Sequence, residues 1–94
     1  MKQMKLKLTL QMDGNVVETI AESNDFSSLM QVVNLWKKVN VNQYKVEPYS
    51  RMIFKKDDGK VVIDFGDYAY FLLIEGITDW SAVEKHICSD KKSS

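Results

Sequence analysis

Apolar and polar residues alternate strictly over residues 5–12 of this chain, and this pattern constrains the fold more than any other. Leu6, Leu8 and Leu10 fall on one side of an extended segment, and Lys5 and Lys7 fall on the other. A period of two with one polar face is typical of a half-buried β-strand. The sequence Asp-Gly-Asn over residues 13–15 then favours a tight turn, which predicts a hairpin with a second strand over residues 16–22.

Two positions of this turn fit the sequence, centred on residues 13–14 or on residues 14–15. They differ in whether Glu22 lies opposite Lys5 or Lys7, and each gives an opposite-charge pair on the polar face. Both positions place three residues of the second strand on the leucine face: Val17, Thr19 and Ala21.

A helical pattern follows the hairpin. Asn24 or Asp25 is a suitable N-cap, and Asn40 or Asn42 can end the helix. The residues spaced to line one helical face are Phe26, Leu29, Met30, Val33 and Trp36. Three further apolar residues widen this face to about half of the circumference: Val32, Leu35 and Val39. This face is wider than packing on one sheet requires.

Three more strands are predicted, over residues 51–56, 60–65 and 68–75, with two-residue turns at residues 58–59 and 66–67. The last strand is apolar on both sides, which indicates a central place in the sheet. One face carries Met52, Phe54, Val61, Ile63, Phe65, Tyr68, Tyr70, Leu72 and Ile74. The other face carries four apolar residues that need a cover: Ile53, Val62, Phe71 and Leu73. A short edge strand before Pro48 is also compatible with the sequence.

The chain ends in a predicted short helix with an apolar stripe that includes Trp80 and Val83, and this helix would cover the second face of the sheet. The element order is therefore ββαβββα. We expect an α+β fold, either a β-grasp-like roll or a plain antiparallel sheet, with one long helix on a face. Residues 1–90 are interpreted as a single domain, and residues 91–94 as a polar disordered tail.

The composition excludes several classes of protein. The formal net charge of zero removes the simplest argument for binding to nucleic acid or membranes by bulk charge. One cysteine, Cys88, cannot form an intrachain disulfide, which favours a reducing compartment. The first residues interleave lysine with leucine and do not resemble a signal peptide. We therefore expect a soluble cytoplasmic domain.

No catalytic, cofactor or metal signature is present in the sequence. His86 and Cys88 are too few for a zinc site, and on one helix they point in different directions. Asp64 is unusual because it falls in mid-strand, and we expect a cross-strand partner such as Lys55. Asp64 and Asp67 are the residues to test if the chain is an enzyme, which is the least favoured of three hypotheses.

Charge is segregated along the chain although the total is zero. Residues 26–56 carry six cations and one anion, whereas residues 57–84 carry seven anions and one cation. Basic residues with aromatic ones are typical of single-strand binding, so a nucleic-acid-binding accessory protein is the second hypothesis. The candidate contacts are Lys37, Lys38, Lys45, Arg51, Lys55 and Lys56, with Tyr44 and Tyr49.

The first hypothesis is a small non-enzymatic module that binds a protein partner or a second copy of itself. It depends on the surplus of apolar surface, since large exposed apolar patches usually mark partner sites. The candidate contacts are Val32, Leu35 and Val39 on the helix, or Ile53, Val62, Phe71 and Leu73 on the sheet. A regulatory protein from a mobile genetic element would have this size and this lack of chemistry.

Overall fold

The structure is a computed structural model that describes residues 5–47 and 50–85. The strands are β1 (Leu6–Met12), β2 (Asn15–Ser23), β3 (Arg51–Lys55), β4 (Lys60–Asp64) and β5 (Tyr70–Glu75). Helix α1 (Phe26–Val39) follows the first hairpin, a 3₁₀ turn (Lys56–Asp58) joins β3 to β4, and residues 80–85 form helix α2. The predicted α+β class and element order are confirmed.

The strands form one sheet in the order β2-β1-β5-β4-β3, and neighbouring strands are antiparallel at all four pairings. Of the two predicted arrangements, the plain antiparallel sheet is the one observed. Strand β5 lies in the centre, as its two apolar faces predicted. Strands β2 and β3 form the two edges.

The first hairpin turns at Asp13 and Gly14, whose φ angles are 53° and 83°. Ala21 lies opposite Leu8 on the leucine face, as predicted, but Thr19 lies opposite Thr9 on the other face. The prediction for Thr19 is wrong because the register of β1 against β2 shifts at a bulge between residues 8 and 9. A second shift, between residues 10 and 11, leaves Val17 without a partner in β1. Each bulge inserts one residue and reverses the alternation of faces beyond it.

Helix α1 begins and ends at predicted residues. The Asp25 carboxylate caps the first turn by accepting hydrogen bonds from the Ser28 backbone N–H and from its hydroxyl, at 3.3 and 2.8 Å. At the other end, the backbone N–H and the side-chain amide of Asn40 both donate to the Trp36 carbonyl oxygen, at 3.0 and 2.9 Å. Asn40 therefore ends the helix through hydrogen bonds, and its φ of −103° is not left-handed.

The hydrophobic core lies on the leucine face of the sheet. Helix α1 contributes Phe26, Leu29 and Val33 to it, and α2 contributes Val83. Both helices therefore cover the same face, and the expectation that the last helix would cover the opposite face is wrong. The Trp80 ring contacts the Phe54 ring on this side, with centroids 6.3 Å apart. We call the opposite side of the sheet the outer face.

The faces of β3, β4 and β5 follow the prediction, since Met52 lies opposite Ile63 and Ile63 opposite Leu72. The connections are longer than predicted. Residues 56–59 join β3 to β4, and β5 begins at Tyr70, which leaves Tyr68 in a loop with 95% of its surface exposed. Residues 41–47 form turns and irregular backbone, so the edge strand considered there does not form.

Candidate interaction surface

The most exposed large apolar side chains of α1 lie on the side of the helix that faces away from the core. Leu35 is 62% exposed and Val39 is 70% exposed, and the two residues are one turn apart. Val32 shares their side of the helix but is half-buried and contacts the core. We call Val32, Leu35 and Val39 the helix stripe.

The four apolar residues predicted to need a cover on the outer face differ in exposure. Val62 lies beside Leu73 and Ile53 in one row across the strands. Leu73, on the central strand, is only 5% exposed, while Ile53, on the edge strand, is 43% exposed. Phe71 and Val62 are half-buried. Of these four residues, the most exposed one therefore lies at the β3 edge of the sheet.

An open groove of about 660 Å³ lies beside the C-terminal end of α1. The residues that line it are Asn34, Lys37, Lys38, Val41, Val46 and Glu47. Val41 is exposed and was not among the predicted contacts, because it lies beyond the helical period that marked the others. Lys38 lies three residues from Leu35 on α1 and also lines the groove, so it connects the helix stripe to the groove.

Lys37 ties the end of α1 to the residue that precedes β3. Its ammonium group donates a hydrogen bond to the Ser50 hydroxyl at 2.7 Å. Partial burial lowers the pKa of Lys37 from its usual range, because the charged form loses contact with water. A second cleft, of about 320 Å³, continues from Glu47 past Ser50 to Arg51 and Asp64. The groove wall therefore includes cations and carboxylates together.

Of the two tyrosines predicted to stack on bases, the structure describes Tyr44, and the ring of Tyr44 packs against other aromatic rings of the chain. The Tyr44 ring stacks on Trp36 at 5.5 Å and meets the Tyr70 ring edge-on at 4.8 Å. Burial raises the pKa of Tyr44, and the nearby Tyr70, Glu18 and Asp67 raise it further. Tyr49 lies outside the described residues.

Two of the predicted basic contacts have acidic neighbours. The Lys45 ammonium group lies 3.9 Å from a Glu47 carboxylate oxygen and 5.1 Å from the centre of the Tyr68 ring. Lys56 pairs with Glu84 of α2 at 3.3 Å. The structure therefore distributes the six cations among α1, the 41–47 segment and β3 with its following turn, and it mixes acids with them.

The carboxylate of Asp67 organises the loop before β5. One oxygen accepts hydrogen bonds from the backbone N–H groups of Ala69 and Tyr70, and the other accepts from that of Lys45 at 3.2 Å. Burial acts to raise the pKa of Asp67, but these hydrogen bonds and the charge of Lys45 outweigh it and hold the pKa below its usual value. The side chain therefore joins the 41–47 segment to the 65–70 loop.

Asp64 has a structural role of the same kind. Its carboxylate accepts a hydrogen bond from the Gly66 N–H at 3.0 Å, and its cross-strand neighbour is Arg51. The expected partner, Lys55, instead lies opposite Lys60. The register differs because the β3–β4 connection has four residues and not two. Asp64 and Asp67 thus each bind backbone N–H groups of their own loop.

Within residues 5–47 and 50–85, no group of three or more His, Cys, Asp and Glu side chains is placed to hold a metal ion. His86, Cys88 and the predicted tail over residues 91–94 lie outside the described residues. In the described part of the chain, no helix has the length and apolar character needed to cross a bilayer. Comparisons with protein-family models, curated proteins and solved structures found no match.

Proposed function

We propose that this chain is a non-enzymatic protein-binding module whose contact surface is the helix stripe together with the adjoining groove. The observation that carries the proposal is the exposure of Leu35 and Val39 on a helix whose other face is fully used in the core. Burial of such side chains by a partner contributes about 25 cal/mol for each Å² removed from water. The single cysteine fits a module that works in a reducing compartment such as the cytoplasm.

The chemistry beside the stripe indicates the kind of partner. Lys38 is exposed between Leu35 and the apolar wall formed by Val41 and Val46. A partner with an apolar ridge flanked by carboxylates would bury the stripe and pair with this lysine. Electrostatic complementarity of this kind affects specificity and the association rate more than affinity.

A second copy of the chain is the less favoured partner. The stripe exposes on the order of a few hundred Å². A stable two-fold dimer buries about 800 Å² on each subunit, so the stripe alone is too small for one. The stripe is suited instead to be the apolar centre of an interface whose rim the groove residues supply.

The test compares two variants that change apolar side chains to acidic ones. Leu35→Glu combined with Val39→Glu removes the stripe, and Val17→Glu makes the same kind of change at an exposed apolar residue of β2. Each tagged chain captures proteins from untreated and from nuclease-treated lysate, and a protein captured from the treated lysate is then purified and titrated against the chains. We expect that protein to bind the native chain and Val17→Glu with similar affinity, and to bind the stripe variant at least tenfold more weakly.

Equal binding by the native chain and the stripe variant would refute the proposed surface. Capture that disappears on nuclease treatment would refute protein binding in favour of nucleic acid. Sedimentation across a concentration series provides the third comparison. A dimer that the stripe variant abolishes would replace the external partner with a second copy.

A further inference from the structure

Strand β3 forms one free edge of the sheet, and this edge is both regular and exposed. Within the described residues it pairs with β4 alone, in an unbroken register from Arg51 opposite Asp64 to Lys55 opposite Lys60. Four of its five residues are exposed. Every second residue of an edge strand directs its backbone N–H and C=O away from the sheet, so a regular edge is a template for another strand.

The opposite edge is less suited to strand addition. Strand β2 carries two bulges, which interrupt its pairing with β1 and twist an edge away from new partners. The bulges also place its two acids on different faces, because Glu18 lies opposite Leu10 while Glu22 lies opposite Lys7. Only β3 therefore presents a regular edge among the described residues.

The side chains of β3 define what kind of strand would fit beside it. On the outer face, Ile53 stands between Arg51 and Lys55, and it is 43% exposed. Neither cation forms an ion pair with any residue that the structure describes. If a neighbouring strand places an apolar residue beside Ile53, then the residues two positions before and two positions after that apolar residue lie beside the two cations.

We propose that β3 binds an extended acidic peptide as a sixth strand, with the pattern acid–x–apolar–x–acid on the side chains that share the outer face. Backbone hydrogen bonds to the β3 edge supply affinity, and the alternate side chains supply specificity. The two acids pair with Arg51 and Lys55, and the apolar residue covers Ile53. This site is separate from the helix stripe and does not depend on it.

A second copy of the chain fits this edge poorly. Antiparallel self-pairing of β3 centred on Ile53 would place Arg51 of each copy opposite Lys55 of the other, and like charges in that position destabilise a sheet. Pairing with β2 of another copy would meet the bulges, and Glu18 and Glu22 cannot share one face there. The charges therefore favour a separate acidic peptide over self-association.

The experiment titrates a capped peptide, Thr-Glu-Thr-Ile-Thr-Glu-Thr, into the full chain and follows backbone amide shifts by heteronuclear NMR. The control peptide has Lys in place of both Glu residues. The test protein is the double variant Arg51→Glu, Lys55→Glu, and the matched control is Lys38→Glu, which changes a cation on α1. Two further versions of the acidic peptide are N-methylated, each at one of the two alternating sets of residues. They distinguish strand pairing, which uses the N–H groups on one edge of the peptide, from a general attraction between charges.

We expect the acidic peptide to shift the amide signals of β3. It should bind the double variant roughly two- to thirty-fold more weakly than the native chain, because the double variant loses two opposite-charge cross-strand pairs. The double variant should bind the Lys peptide in preference, while Lys38→Glu should keep the native preference. Only one of the N-methylated peptides should lose binding, because only one edge of the added strand bonds to β3.

Three results would overturn the proposal: no binding of the acidic peptide at millimolar concentration, equal binding by the double variant, or equal binding by both N-methylated peptides. A dimer in the absence of peptide that Ile53→Lys abolishes would also overturn it, in favour of self-pairing. The variant Leu35→Glu with Val39→Glu should still bind the peptide. Its result therefore separates a failure at the β3 edge from a failure at the helix stripe.

Discussion

Gly76 is a position where the fold needs the absence of a side chain because the backbone of another segment lies close to it, and Gly14 provides a matched control. It directly follows β5 with a φ of +88°, and a Cβ at this position would collide with the Lys5 carbonyl oxygen in the backbone next to β1. Gly14, in the first hairpin turn, has a similar φ of +83°, but a Cβ there would meet no atom within 4 Å. Alanine therefore has a similar conformational cost at both positions and an additional steric cost only at Gly76.

The two costs can be separated in magnitude. A left-handed backbone costs an alanine about 1–2 kcal/mol, which is the full expected loss for Gly14→Ala. Forcing the Lys5 backbone aside adds about 1–3 kcal/mol at Gly76, by analogy with overpacking in a core. We expect Gly76→Ala to lower the free energy of unfolding by about 3 kcal/mol, which is a large part of a total on the order of 5–10 kcal/mol for a domain of this size.

The assay is urea unfolding at fixed temperature, followed by tryptophan fluorescence and by far-ultraviolet circular dichroism. Both variants should keep the native dependence of free energy on urea concentration, so that the change in midpoint reports stability. The melting temperature of Gly76→Ala should lie roughly 4–24 °C below that of Gly14→Ala, because the added steric cost of about 1–3 kcal/mol lowers it by about 4–8 °C for each kcal/mol. A loss at Gly76 no larger than the loss at Gly14 would refute the argument that the Lys5 carbonyl limits this position.

Three further predictions concern the helix cap, the loop carboxylate and the two sides of α1. Asp25→Ala removes the cap on Ser28 and should cost about 1 kcal/mol in urea unfolding. Asp67 has a lowered pKa in the folded state, so its stabilisation is present above the unfolded value of about 3.9 and is lost as pH falls through the folded pKa. Asp67→Asn should therefore unfold more easily than the native chain at pH 7, and the difference should shrink in acid; a constant difference would contradict this role. Val33→Ala should cost about 2 kcal/mol because Val33 is buried, whereas Val39→Ala should change stability by less than about 0.5 kcal/mol.

Much of the local structure could be predicted because its causes lie within about ten residues of sequence. The period of two in β1, the Asp-Gly turn and the N-cap at Asp25 each depend on neighbours along the chain. The central place of β5 also followed from its composition, since a strand buried on both sides needs apolar residues on both. The width of the apolar face on α1 likewise predicted a surplus of apolar surface, and Leu35 and Val39 are exposed.

The candidate surfaces could be predicted only in part. The sequence marked Ile53 and Leu73 as equal members of one apolar face, but their exposures are 43% and 5%. The difference arises because Leu73 has strands on both sides and Ile53 has one. Tyr44 was grouped with the basic residues by its position in sequence, whereas its ring stacks on Trp36.

The element types, their order, the helix limits and the alternation of faces in β1, β3, β4 and β5 follow from the sequence alone, because backbone propensity, capping and periodicity act locally. The strand order, the bulges between β1 and β2, the placement of α2 on the same face as α1 and the identity of the free edges appear only in the folded chain. These features depend on which distant residues pack together. The free energies of alternative packings differ by small amounts spread over many contacts, and no short stretch of sequence records that sum.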